Sequence, residues 1–385
     1  MKKKHNQKLK SFFMAGFECA DHINRSGMRI NLQKTTQHDI RIFEDYQLLK
    51  ELNISVVREG ICWSEIEIRP YVFDFSRLIP FYEAAKLYDI QIIWDLCHFG
   101  YPDDLIPTHP QFSRRFETLA KEFCLFHSKH SSEPLWVIPI NEISFLSWHS
   151  GEVRGTVPFG VNCGWDIKYH LCQAKIQAVK TIKDILPDSV VLAVEPLVKV
   201  HASEKDTQEK ADEIHLLQYQ AMDILMGYEC PELGGHPDLF DFLGFNYYYN
   251  NQWNEKNEMI PWPDPLGKRI PFSDLLKEAY DRYKLPVILT ETGHFGALRS
   301  FWIKEITQEC FLAQQKGVDL RGICIYPVID RPDWDDLSHY SNCGIWDLDS
   351  GMRRIVNQKY FQAVLNAQKE FKKQNTKAKP LILKE

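Results

Sequence analysis

The chain has 385 residues and a formal net charge of −6. Hydrophobic residues make up 44% of it, and no Pro-, Gly- or Ser-rich linker divides it, which favours one large domain over two. The acidic balance and the lack of a sustained basic stripe exclude a nucleic-acid surface and favour a neutral small-molecule substrate.

The first segment, Met1 to Lys10, is basic like the start of a signal peptide, but the apolar run over 12–17 that follows is too short for one. No stretch predicts a membrane span. Ten cysteines occur without a CxxC pair or another metal-ligand spacing. We therefore expect reduced thiols and a cytoplasmic protein.

Short β-branched and aromatic runs alternate with helical periodicity along the chain, which is typical of βα units around a parallel sheet. The predicted strands span 12–19, 54–60, 91–97, 135–141, 190–200, 240–248, 286–293 and 320–329. The predicted helices span 38–52, 76–88, 113–130, 166–184, 205–223, 272–283, 300–317 and 355–372. This order predicts a single (β/α)8 TIM barrel with extended βα loops over residues 1–372, followed by a polar tail over 373–385.

Two glutamates lie at the ends of predicted strands, Glu142 at the end of the fourth and Glu291 at the end of the seventh. The C-terminal strand ends of a TIM barrel converge on one mouth, where active sites lie. Two carboxyl groups held there are the minimum set of catalytic groups for cleaving a glycosidic bond. The sequence therefore predicts that Glu142 and Glu291 form a catalytic pair.

Further motifs accompany this pair in chain order: Arg58 on strand two, His98-Phe99 after strand three, Asn141-Glu142-Ile143, Asp241-Phe-Leu-Gly-Phe-Asn246-Tyr247-Tyr248, Thr290-Glu291-Thr292-Gly293, and the strand-eight segment from Tyr326 to Trp334. Together they resemble glycoside hydrolase family 1, the β-glucosidases, over nearly the whole chain. The resemblance implies a retaining β-glycosidase that needs no metal or other cofactor and acts on a glycoside or oligosaccharide.

The resemblance also implies roles for individual residues. Glu142 would be the acid/base and Glu291 the nucleophile, while the sugar-binding groups would be Arg58, His98, Asn141, Asn246, Tyr247, Asp333 and Trp334. Arg58 and Tyr247 would donate hydrogen bonds to Glu291 and favour its charged form. Glu142 has no cation nearby in sequence, and the surrounding Trp136, Phe145 and Trp148 would keep it protonated.

The pattern departs from the family in several places. The first strand lacks the family's sugar-binding Gln, so that Glu18 and Asp21 are candidates to replace it, and Asp333 stands where the family has Glu. These changes affect the choice of sugar more than the chemistry. Residues 335–346 contain no Lys or Arg, which argues against a 6-phosphorylated sugar.

Two other carboxyl groups compete for the catalytic roles. Glu195 on strand five and Glu59 lack the flanking motifs, and we interpret Glu195 as a structural or pocket-lining residue. Two other functions stay open at this point: a transglycosidase that uses the same two glutamates, and a non-catalytic carbohydrate-binding protein on the same scaffold.

Overall fold

Eight parallel strands form a closed barrel in the computed structural model, which describes residues 8–378. The barrel strands, numbered one to eight in chain order, are Phe13–Gly16, Val56–Gly60, Gln91–Cys97, Trp136–Ile140, Val190–Pro196, Phe242–Asn246, Val287–Thr292 and Leu320–Ile325. Each pairs with the next along the chain, and the eighth pairs with the first. The predicted (β/α)8 barrel is confirmed.

Helices surround the barrel and connect its strands. The α-helices are Leu32–Thr35, His38–Glu51, Trp63–Ile66, Ile79–Tyr88, Phe112–His130, Ile143–Gly151, Gly164–Ile185, Gln208–Leu216, Gln220–Leu225, Phe272–Tyr283, Arg299–Gln315 and Gln358–Ala378. The predicted helix at 205–223 is two helices joined by a 3-10 turn. Ile143–Gly151 lies inside a region that we predicted to be a loop.

The last helix continues to Ala378, beyond the predicted boundary at 372. The rest of the predicted tail, residues 379–385, and most of the basic start, residues 1–7, lie outside the described residues. Within the described part of the chain, no helix is long and apolar enough to cross a membrane. All ten cysteines are free thiols, eight of them buried.

Two apolar layers explain why the strands are almost continuously hydrophobic. One layer fills the barrel itself and consists of Met14, Val56, Ile93, Trp136, Ile138, Val190, Leu192, Val194, Phe242, Ile288 and Cys324. The other, larger layer packs the outward side chains of the strands against the helices. Because side chains alternate along a strand, a barrel buried on both faces needs apolar residues at nearly every position.

Short antiparallel or parallel ribbons extend the loops at the mouth. Lys199–His201 pairs with Gln252–Asn254, and Trp346–Leu348 pairs with Arg354–Val356. Gly16 ends the first strand against the ring of Tyr326, and a Cβ there would lie 2.1 Å from its Cδ2. Only glycine lets strand one approach the aromatic ring from strand eight this closely.

Candidate active site

Glu142 occupies a sharp turn between strand four and the next helix. Its backbone is left-handed, with φ 42° and ψ 64°, and it caps helix Ile143–Gly151. Both oxygens of Glu195 accept backbone N–H groups at the start of that helix, from Ile143 at 2.8 Å and Ser144 at 2.9 Å. Glu195 therefore anchors the helix N-terminus, which agrees with the structural interpretation of this residue.

The side chain of Glu142 is 9% exposed and accepts a hydrogen bond from the Asn246 amide at 2.7 Å. Burial raises the pKa of Glu142 well above its usual value, and the nearby charge of Glu291 raises it further. The expected raised pKa thus arises from burial and a neighbouring carboxylate. Trp136 is not a neighbour as predicted, because it begins the strand and packs on Phe242 in the barrel interior.

Glu291, at the end of strand seven, is buried and receives two strong donors. The guanidinium of Arg58 donates to its Oε1 at 2.6 Å, and the phenol of Tyr248 donates to its Oε2 at 2.7 Å. Both contacts favour the ionised carboxylate. The predicted contact between Arg58 and Glu291 is confirmed.

The predicted contact between Tyr247 and Glu291 is wrong by one residue. Tyr247 points away from the mouth, where its hydroxyl accepts hydrogen bonds from Gln252 at 2.8 Å and Arg269 at 3.1 Å. Side chains alternate across the sheet, so that Asn246 and Tyr248 face the mouth while Tyr247 between them packs outward.

Arg58 links the strands beneath the two glutamates. Its Nε and one terminal nitrogen donate to Asp95 on strand three, the latter at 2.7 Å, and the same terminal nitrogen donates to Asn141 at 2.8 Å. The Asn246 amide also donates to Asn141 Oδ1 at 3.3 Å, while Asn141 Nδ2 is buried without a hydrogen-bond partner in the described residues. A donor is thus left at the strand-four tip.

Thr290 orients the Asn246 amide, because its hydroxyl donates to Asn246 Oδ1 at 2.7 Å. Only the NH₂ end of that amide then remains to donate to Glu142. The predicted residues Arg58, Asn141, Glu142, Asn246 and Glu291 accordingly form one buried, hydrogen-bonded group at the mouth.

His98 borders this group on the side of strand one. Its Nδ1 lies 2.7 Å from Asp95, and its Nε2 faces Tyr326 at 3.4 Å and Glu18 at 3.7 Å. Burial by itself would lower the pKa of His98, but the contact with Asp95 raises it above the usual value. Glu18 is buried and accepts a hydrogen bond from Tyr326 at 3.3 Å, so its carboxyl group lies beside His98.

Arg331 reaches toward Glu18 from the loop after strand eight. Its Nε lies 3.4 Å from Glu18 Oε2 and makes no hydrogen bond in the described residues. Its guanidinium lies 5.9 Å from the ring of Trp334. Trp334 is half-buried and packs edge-on against His22 at 4.7 Å and Phe99 at 5.6 Å, which makes it part of an aromatic wall.

Two of the candidate residues form hydrogen bonds outside the buried group. Asp333 is exposed, and its Oδ1 accepts the backbone N–H of Asp335 at 2.8 Å, so the structure does not bring it into the buried group. Asp21 is buried and accepts hydrogen bonds from the backbone and the hydroxyl of Ser64. Glu59 pairs with His38 at 2.9 Å on the outer side of strand two, away from the mouth.

One group of side chains has donor types that suit a metal ion. Cys19, Asp95 and His98 place a thiol, a carboxylate and an imidazole within 4.8 Å of one another. Arg58 and His98 already occupy the Asp95 oxygens, and burial holds the pKa of the Cys19 thiol well above its usual value. A cation there would lie against a guanidinium, so these residues fit an ion pair better than a metal.

The sequence interpretation missed three residues of the site: Asp95, Tyr248 and Arg331. The sequence does indicate a role for Asp95, because a carboxylate in the apolar run Gln91–Cys97 must have a polar partner when the strand is buried. The position of Tyr248 could have been predicted, because side chains alternate along a strand and Tyr248 lies two residues after Asn246. Arg331 lies in a loop whose path no periodic pattern determines.

Comparisons with known proteins agree with this geometry. No known family model matches the chain. The 6-phospho-β-glucosidase AscB of Escherichia coli (strain K12) is 24% identical in an alignment of 322 residues, with coverage of 68% of this chain and 65% of that protein. The chain thus matches less than two thirds of that relative's length.

Solved structures extend the similarity to the fold. A family 1 β-glucosidase from Thermotoga maritima superposes with a TM-score of 0.74 at 16% identity, over 93% of this chain and 97% of that one. A β-glucosidase from Thermotoga maritima in complex with castanospermine gives a TM-score of 0.75 at 16% identity, over 94% of this chain and 98% of that one. The chain has the fold of a family 1 β-glucosidase. The resemblance to family 1 noted in the sequence motifs is confirmed.

Proposed function

We propose that this chain is a retaining β-glycosidase, with Glu291 as the nucleophile and Glu142 as the acid/base. The proposal rests on the different hydrogen-bond donors of the two buried carboxyl groups. Glu291 is held by a guanidinium and a phenol, whereas the only hydrogen bond to the Glu142 carboxyl group comes from a neutral amide within the described residues. Such opposite environments suit one ionised and one protonated carboxyl group.

The reaction then takes two steps. In the first, a Glu291 oxygen attacks the anomeric carbon while Glu142 gives its proton to the departing glycosidic oxygen, leaving a glycosyl-enzyme. In the second, Glu142 as a carboxylate removes a proton from water, whose oxygen displaces Glu291 from the sugar. Both glutamates return to their starting states.

Neighbouring groups have assignable parts in this scheme. Asn141 has an unpartnered buried amide N–H, which suits donation to the sugar 2-hydroxyl as positive charge develops on the ring. Asn246 and Tyr248 hold the two carboxyl groups in place from neighbouring positions at the tip of strand six. Trp334 and Phe99 offer apolar faces to the sugar ring.

The charges near the pocket favour a neutral glycoside over a phosphorylated one, although the relative AscB is named for a 6-phosphorylated substrate. Glu18 pairs with Arg331, and Glu291 pairs with Arg58. Asp95 pairs with Arg58 and with His98 in its charged form. The loop 333–346 adds acidic groups and no Lys or Arg. A phosphate would therefore lack an unmatched cation.

We further propose that the protein acts in the cytoplasm. Its ten cysteines are all free, and eight are buried in the fold as unpaired thiols. Such usage is typical of a reducing compartment.

Glu291→Gln tests the proposal directly. We expect the variant to fold, to lose turnover of aryl β-glycosides, and to escape labelling by a 2-fluoro glycoside inactivator that modifies the wild-type protein at Glu291 alone. Glu195→Gln is the matched control, because it removes another buried strand-end carboxylate and should leave the labelling site unchanged. Labelling of Glu195 in the wild type would refute the assignment. Products enriched in new glycosides when an acceptor sugar is added would instead identify a transglycosidase.

A further inference from the structure

Asp95 is a charged residue that contacts both Arg58 and His98. It is fully buried on strand three, and both of its oxygens accept hydrogen bonds. Arg58 Nε donates to Oδ1 at 3.1 Å and an Arg58 terminal nitrogen donates to Oδ2 at 2.7 Å, while His98 Nδ1 lies 2.7 Å from Oδ2. Asp95 itself lies behind both residues and faces no open space for a sugar.

The first consequence concerns the orientation of Arg58. A guanidinium is planar, so fixing its Nε edge on one carboxylate determines where its remaining N–H groups point. The remaining terminal nitrogen of Arg58 donates to Glu291 at 2.6 Å and to the backbone oxygen of Thr290 at 3.2 Å. Without Asp95, Arg58 Nε has no acceptor in the described residues, and the terminal nitrogen beside it keeps only its bond to Asn141.

The second consequence concerns His98. With Asp95 accepting from Nδ1, the ring nitrogen Nε2 is the one that faces Glu18, Tyr326 and the mouth. Other charged or titratable groups around the ring are Glu291, Arg58, Cys19 and His22. Burial and Arg58 lower the pKa of His98, and Asp95 together with Glu291 raises it, with a net rise.

We propose that Asp95 is a positioning residue, which aims Arg58 at Glu291 and fixes His98 with Nε2 toward the pocket. This inference rests on the proposed function for its effect on turnover, but its geometric part does not. A purely structural role would predict that loss of Asp95 affects only stability, as expected for any broken buried ion pair.

The chain offers a matched control for such a loss. Glu59 is another fully buried carboxylate, on the neighbouring strand, and it accepts hydrogen bonds from His38 at 2.9 Å and Tyr46 at 3.1 Å on the far side of the barrel wall. Asp95→Asn and Glu59→Gln both neutralise a buried carboxylate beside a histidine. Only the first lies next to the proposed site.

The primary measurement is the titration of His98 by ¹⁵N NMR, with its signals assigned by their loss in His98→Gln. We expect wild-type His98 to carry a proton on Nδ1 and to titrate above the usual histidine pKa. In Asp95→Asn the midpoint should move to lower pH, because the charge that favours the imidazolium is gone, while Glu59→Gln should leave it unchanged.

A wild-type His98 that titrates below the usual value, or carries its proton only on Nε2, would overturn the proposal even if Asp95→Asn fails to fold. An equal shift in Glu59→Gln would do the same. Neither result depends on turnover, so the geometric proposal stands or falls separately from the glycosidase assignment.

The second measurement is kinetic. On aryl β-glycosides turned over by the wild type, we expect Asp95→Asn to lower kcat about 10- to 100-fold with a smaller change in KM, since the lost alignment acts on the reacting carboxylate. Glu59→Gln should leave kcat per folded molecule unchanged. A rise in KM with kcat unchanged in Asp95→Asn would contradict the positioning role.

Discussion

The inner and outer parts of the site are held by different kinds of contact. The inner part consists of residues at the tips of different strands, such as Arg58, Asn141 and Glu291, joined by hydrogen bonds between residues far apart in the chain. The outer part comes from the loop after strand eight, where Asp333 bonds to Asp335 and the backbone of Asp333 bonds to His339. The barrel strands position the inner part, whereas short-range hydrogen bonds in the loop position Asp333 in the outer part.

This difference determines how far each part can tolerate change. Every inner group is buried and has partners that would be left uncompensated by its removal, so substitutions there should be costly. The outer loop bonds within itself and to Asn24 and Arg25 of the loop after strand one, and Asp333 faces water. A substitution of such an exposed residue should have a small effect. Variants in the two parts should therefore differ in the size of their effects on activity.

The largest effect is expected for Glu142→Ala. Loss of the acid should lower kcat/KM for alkyl β-glycosides about 10²–10⁴-fold and affect activated aryl glycosides far less, because good leaving groups need little protonation. Added azide should restore turnover by entering the vacated space, and its product should be the glycosyl azide. Equal losses on both substrate types without azide rescue would show that Glu142 only positions the sugar.

The inner part is also the part that the sequence predicts well. Strand boundaries follow from apolar runs, and the barrel places any residue at a strand end near the mouth, which is why Arg58, Asn141, Asn246 and both catalytic candidates come together as predicted. Tyr247 was misassigned because a motif gives order along the chain, whereas the face of a strand depends on alternation from a known inward residue.

Tyr248→Phe should have the next largest effect. It removes a charge-assisted hydrogen bond to Glu291, which is worth about 1.5–3 kcal/mol, or about 10- to 100-fold in kcat/KM. Tyr247→Phe is the matched control, because its hydroxyl bonds Gln252 and Arg269 outside the mouth and no other group among the described residues. Similar kinetic losses in the two variants would contradict the placement of Tyr248 beside the nucleophile.

A smaller effect is expected in the titration of Glu142. Burial and the charge of Glu291 both raise the pKa of Glu142, so the alkaline fall in kcat/KM, which reports loss of the acid's proton, should occur at higher pH than for an ordinary glutamate. Glu291→Gln removes one of these causes, and the Glu142 midpoint should then move to lower pH. Carboxyl ¹³C NMR, assigned with Glu142→Gln, measures this shift without turnover. A midpoint that moves upward would contradict the coupling between the two glutamates.

The outer part shows where sequence interpretation ends. A position in a motif predicted that Asp333 contacts the sugar, yet the side chain lies in a loop whose conformation depends on short-range bonds such as the Asp335 N–H to Asp333. Glu18 follows strand one and bonds to Tyr326, so its position depends on the barrel. The position of the Arg331 side chain could not be predicted either, because Arg331 lies in the same loop as Asp333.

The smallest effect is therefore expected for Asp333→Ala. Because its carboxylate is exposed and serves a turn, its loss should change kcat/KM by no more than about twofold, or about 0.5 kcal/mol. Glu18→Ala should cost about tenfold or more, since it leaves Tyr326 without this hydrogen-bond acceptor and Arg331 without its buried counter-ion. The measurement is kcat/KM on gluco-, galacto- and manno-configured aryl β-glycosides. The loss in Glu18→Ala should vary with the sugar, whereas the change in Asp333→Ala should be the same for all three. A large, sugar-dependent loss in Asp333→Ala would mean that this loop turns inward on the substrate, and that the outer part is fixed by the ligand.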